Sequence, residues 1–279
     1  MSRHNRYLII HADDAGMCHS ANRATIHAMT DGAVSSASVM VPCPWFSEFA
    51  AWASERPDMD VGVHLTLTSE WKHYRWGPVA PKEHVPGLLD DEGYLWRRVE
   101  DVVKHATARE VEIEARAQIE RVLRIGVRPT HIDSHMGTLF AHPEFLETYL
   151  ALSAEYGIPA MLPRPTEEQL ASELGKIVAA RLGDFERRGF RVLDRLITSV
   201  NGDTYEARKE SLLQAITGLG PGVTQVIVHL MDDDPEARGI ANSWHIRAIE
   251  YKLCLDEEIR AHAEQEGVAL VGYRDLAEL

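Results

Sequence analysis

Short apolar runs alternate along this chain with longer stretches in which apolar positions recur three and four residues apart. The runs fall at residues 7–11, 36–41, 60–67, 130–133, 158–161, 196–199, 224–230 and 268–272 and read as strands. Helical spacing predicts helices over 20–29, 45–55, 110–125, 143–156, 167–188, 205–219 and 243–265. In the third of these, Val111, Ile113, Ala115, Ile119, Val122 and Leu123 fall on one side and Gly126 stops the helix. Parallel neighbours need a crossover, and a helix is the usual one, so this alternation predicts an α/β fold with a parallel sheet. Seven or eight such units fit a distorted, TIM-like (β/α) barrel. With no linker, repeat or low-complexity tract, a single domain over residues 1–279 is expected.

One stretch breaks the rhythm. Residues 69–95 hold no clear element but carry Trp71, Tyr74, Trp76 and several prolines. A loop this long in a compact domain is uncommon and often serves as a lid. Trp71 and Trp76, beside Lys72 and Arg75, would suit stacking on a sugar ring. An ordinary excursion packed on the barrel or on a second subunit, as in a homodimer, is the open alternative.

The strand ends carry the candidate chemistry. Asp13 and Asp14 follow the first run in the string HADDAG; His64 stands near the end of the third, GVHLTL. The fourth leads into THIDSHMG, with His131, Asp133 and His135, and His229 stands near the end of the seventh. Catalytic groups of (β/α) barrels lie at these C-terminal ends. One carboxylate and two imidazoles are a common protein share of a catalytic zinc site, with positions left open for water and substrate. Adjacent Asp13 and Asp14 point in different directions, so one can hold a metal while its neighbour reaches water. In an extended chain His131, Asp133 and His135 share a face, and Asp133 could orient a ligating imidazole. A histidine such as His229 can deliver a proton to a leaving group near neutral pH. Each has a blander reading: an Asp after a strand often caps a helix, and a lone strand-end histidine is often a hydrogen-bonded core residue.

Composition narrows the classes. Hydrophobic residues are 45% and charged residues 26%, which is ordinary globular usage. The net charge of −14, from 29 basic and 43 acidic residues, disfavours nucleic acid and anionic membranes as partners. Cys18, Cys43 and Cys254 are too scattered for a disulfide framework. The apolar run before His11 is too short for a signal peptide, so a cytoplasmic protein is expected. No GxSxG, Walker A or GxGxxG string supports serine-hydrolase or nucleotide-binding chemistry.

The strings ADD-x-G, GVHL-x-LT and THIDSH, with a match running from the first strand to VGYRDL, resemble the YdjC/ChbG-like carbohydrate deacetylases, a branch of the polysaccharide deacetylase-like barrels. The resemblance implies one divalent metal on Asp14, His64 and His135, with Asp13 as general base and His229 as proton donor. It implies removal of acetyl groups from N-acetylated sugars such as chitooligosaccharides, a role in carbohydrate metabolism. Ala15 stands where the family often has an aromatic residue, and Met136-Gly137 follow His135 where further histidines are common; both alter the rim. The ligand set suits zinc, while mixed oxygen and nitrogen donors also accept magnesium, manganese or cobalt. Two rivals stay open: hydrolysis of another amide or a phosphoester, to which Arg75, Arg164 or Arg247 would lend charge, and a non-catalytic carbohydrate-binding barrel.

Overall fold

A computed structural model describes residues 5–276. Seven strands, β1 (Arg6–Ala15), β2 (Ser36–Val39), β3 (Val61–Leu65), β4 (Ile132–Ser134), β5 (Arg195–Ile197), β6 (Gly222–His229) and β7 (Ala269–Leu270), form one parallel sheet among the described residues. Its order is β4-β3-β2-β1-β6-β5. β6 runs along one side of β1; on the other, β7 pairs with Tyr7 and Leu8 while β2 takes over from His11.

The run expected as a strand at 158–161 does not form one. Ala160 makes a single bridge to Ile132 of β4 instead, and Pro163, just beyond the run, bridges Leu193, just before β5. These bridges carry the sheet round from β4 to β5, and the result is the distorted (β/α) barrel that the alternation predicts.

Helices α1 (His19–Thr30), α2 (Phe46–Ser54), α3 (Val99–His105), α4 (Ala108–Ile125), α5 (Pro143–Tyr156), α6 (Glu173–Arg187), α7 (Tyr205–Thr217), α8 (Pro235–Ile240), α9 (Trp244–Cys254) and α10 (Glu257–Gln265) fill the connections. Their ends follow local chemistry. Thr107 and Glu110 form a reciprocal capping box at the start of α4, and Gly126 closes it in a left-handed conformation. The helix expected over 243–265 is two, because the Asp256 side chain accepts the Glu258 amide and starts α10 afresh. α6 begins late, at a Ser172 cap, and α3 and α8 are helices that periodicity did not reveal. They span too few turns to show a period. No helix is long and apolar enough to cross a membrane among the described residues.

Strand alternation divides the core in two. Leu8, Ile10 and Ala12 of β1 join the large cluster that includes buried residues of the surrounding helices. Ile9 joins a smaller cluster with Met161, Leu193, Val223, Val271 and Tyr273. Two and four residues on from Ile9, the same face of β1 turns polar, at His11 and then Asp13. Apolar packing thus plugs one end of the barrel and leaves the other to titratable groups.

The 69–95 loop is more structured than expected. Residues Lys82–His84 and Pro86–Leu88 form 3-10 turns, and Leu89 bridges Leu95. The Glu114 carboxylate on α4 accepts the Val79 and Ala80 amides, tying the loop to the barrel.

Candidate active site

β1 ends in a bulge: its register against β2 shifts between Ala12 and Ala15, and Asp14 has φ +65°. Such a kink re-aims side chains, and here it sends the two carboxylates apart. Gly16 follows at φ +84°, where a Cβ would meet Val39 and the Met40 carbonyl. Only glycine suits that turn.

Asp14 is buried and faces two imidazoles. Its Oδ1 lies 3.4 Å from His64 Nε2 and 3.2 Å from His135 Nδ1, and those nitrogens are 3.2 Å apart. Each ring is held from behind by a carboxylate, His64 Nδ1 by Asp133 Oδ1 at 2.7 Å and His135 Nε2 by Glu70 Oε2 at 3.1 Å. This is the support that metal-bound histidines usually receive. Both Asp14 oxygens lack a hydrogen bond of good geometry despite full burial. Two ring nitrogens converging on an unsatisfied carboxylate fit a divalent cation, and Asp14, His64 and His135 form one of the clusters able to hold one.

The electrostatics agree. Burial would raise the Asp14 carboxyl's pKa, but the Arg247 guanidinium, 2.7 Å from Oδ2, and the two imidazoles hold it well below the usual range. Burial would lower His135, yet Glu70 and Asp14 push it up to about 9; Asp133 and Asp13 likewise raise His64 against burial. The site is built for positive charge.

Asp13 and His229 are register partners on β1 and β6. Asp13 Oδ2 is 3.9 Å from both His64 Nε2 and His229 Nε2, so it stands between the ligand cluster and the second histidine. His229 is the more open of the two, and its backbone amide is fixed by Glu250. Both line a cleft of about 540 Å³ with Asp14, Glu70, Trp71 and Arg247, whose wall also includes apolar side chains such as Met136 and Phe140.

Three expected residues lie elsewhere. Trp76 is buried, with its indole N–H donated to the Thr68 carbonyl, and Arg75 is spent on Asp90; neither lines the cleft. They hold the loop together instead of facing the cleft, because an indole and a guanidinium bonded to local partners are not free to turn outward. His131 is fully buried deeper in the barrel, stacked on Tyr273, with its pKa lowered to about 4 by burial and by His11. Trp71 does reach the cleft, beneath the Arg247 guanidinium. The Asp232–Asp234 acids pair with Arg23 and Arg238 and cap α8. Sequence reasoning missed Glu70, whose one visible signal was its place just past the His64 strand. Arg247 was expected only as a cation beside a phosphoester substrate.

Known proteins resemble this chain over most of its length. A family model described as YdjC-like protein matches residues 7–265. A carbohydrate deacetylase of Thermus thermophilus is 32% identical over 258 residues, 91% of this chain and 88% of that protein. One of Thermoanaerobacter pseudethanolicus is 25% identical over 96% of this chain and 98% of its own length. A solved structure from Enterococcus faecalis, of a protein assigned to cellobiose-phosphate cleavage, superposes with a TM-score of 0.82 at 27% identity, covering 98% of this chain and 99% of that one. With strand-end chemistry, barrel and relatives in agreement, the chain belongs to the YdjC-like protein family.

Proposed function

We propose that the protein is a metal-dependent hydrolase that removes the acetyl group from a small N-acetylated sugar, acting as one catalytic domain. The observation that carries this reading is the place of Asp13, 3.9 Å from a nitrogen of the ligand cluster on one side and 3.9 Å from His229 on the other. The deacetylase names of the relatives support it.

A divalent ion, zinc on the softness of two imidazoles, would be held by Asp14, His64 and His135 and would supply Lewis acidity toward the acetyl carbonyl and the attacking water. Asp133 and Glu70 fix the two rings with one nitrogen each turned inward. Asp13 accepts the proton of the attacking water. His229, on the open side of Asp13, donates a proton to the departing amine, which would otherwise leave poorly. Trp71 offers an aromatic face at the cleft for the sugar ring, and residues 69–95 act as the fixed wall that presents it.

A phosphoester substrate is disfavoured by charge. Arg75 is paired with Asp90 and Arg164 with Glu186 and Asp194, both outside the cleft, and Arg247, which does line it, has its Nη2 on Asp14. The test is acetate release from N-acetylglucosamine, diacetylchitobiose and longer chitooligosaccharides by metal-loaded protein, with phosphodiesters alongside. Acetate from the short substrates is expected; phosphoester cleavage without acetate overturns the reading.

A further inference from the structure

His11 has no part in the chemistry above, yet it is wholly buried and touches the proposed base. Its Nε2 lies 3.2 Å from Asp13 Oδ1, 3.0 Å from Asp133 Oδ2 and 3.2 Å from Ser38 Oγ. Its Nδ1 lies 3.0 Å from Ser36 Oγ. The Ser36 hydroxyl donates to Asp60 Oδ1 at 2.7 Å, so its proton is already committed and the oxygen can only accept from the ring. Asp60 is an acceptor throughout, taking the Thr130 hydroxyl and the Arg274 amide as well. Nδ1 therefore carries a proton. Nε2 faces carboxylate oxygens that accept and do not donate when ionised, so it carries one as well. A ring protonated on both nitrogens is an imidazolium.

We propose that His11 is a charged positioning residue that clamps Asp13 Oδ1 against Asp133 and leaves Oδ2 directed at the His64 and His229 side of the cleft. The bridge has a structural logic. Asp133 orients His64 through its Oδ1 and His11 through its Oδ2. One carboxylate thereby sets both a proposed metal ligand and, by way of His11, the proposed base. Few groups compete for the ring. His131 meets it edge-on at 5.0 Å and Tyr273 at 6.3 Å, and neither supplies a negative charge. Asp13 Oδ1 is buried with no hydrogen bond of its own, so the 3.2 Å ion pair with His11 is what holds it, and without that charge the carboxylate is free to rotate. General-base catalysis depends on that geometry, and its whole worth is of order 10²–10⁴-fold.

This inference rests on the deacetylase reading for its kinetic arm only. His11→Ala should lower kcat for acetate release by about 30-fold or more, while KM and bound metal stay within about twofold. His11→Gln, which returns a neutral donor near Nε2, should recover part of that loss. The second arm needs no substrate: ¹⁵N NMR of metal-loaded, histidine-labelled wild-type protein at pH 7 should show a buried ring with both nitrogens protonated, absent from His11→Gln. A neutral His11 ring overturns the proposal even if His11→Ala does not fold. So does a folded His11→Ala protein with unchanged kcat, or one that loses metal in step with activity. A wild-type protein that releases no acetate, yet shows the charged ring, refutes the deacetylase reading and leaves the clamp standing.

Discussion

At the scale of single residues, the division between Asp13 and Asp14 follows from one strained backbone position. Asp14 sits at φ +65° within a bulge, where a non-glycine residue costs energy and persists only if its surroundings hold it. Arg247 and the two imidazoles do the holding. The neighbours then have separable roles. His64→Ala or His135→Ala should abolish most metal binding, whereas Asp13→Asn should keep the metal and lose acetate release by about 10²–10⁴-fold. Metal analysis beside turnover checks this, and full metal content in both histidine variants would remove those residues from the ligand set.

At the scale of elements, α4 does more than cover the sheet. Its Glu114 is buried under the 69–95 loop, and burial, outweighing three N–H donors, raises its pKa from 4.5 to about 7. Below pH 4.5 the folded and unfolded chains are both protonated there. Between pH 4.5 and 7 the folded chain retains a proton that the unfolded chain has released, so this group's contribution falls as pH rises and is lost above about 7. Glu114→Gln should therefore flatten the decline of stability across that window, removing a term of about 2–4 kcal/mol. Denaturant melts of both proteins at several pH values measure it, and parallel pH profiles would contradict it. The same helix shows what periodicity can read. Its apolar stripe and capping box lie within one local stretch, while Glu114 sits on the inward face as a polar exception that only its partners explain.

At the scale of the whole molecule, the site joins β1, β3, the turn after β4, β6 and α9, so an ion bound there links distant parts of the chain. Binding confined to the folded state adds stability by mass action. Chelation should lower the melting temperature of the wild-type protein by several degrees and leave His135→Ala nearly unmoved. Equal shifts in both would place the ion elsewhere. The sequence by itself determined the strand and helix alternation and the placement of Asp13, Asp14, His64, His135 and His229 at strand ends, because each is a property of a short window whose backbone period is local. Only the tertiary structure decided how the ring closes, through single bridges at Ala160 and Pro163 in place of a strand. It also decided that Glu70 and Arg247 reach the cluster, that Arg75 and Trp76 turn inward, and that His11 bridges two carboxylates. Those outcomes depend on which residues meet in space, from Trp76 and Thr68, 8 positions apart, to His11 and Asp133, 122 apart. A buried polar group takes its role from the partners that replace water around it, and no local pattern names them.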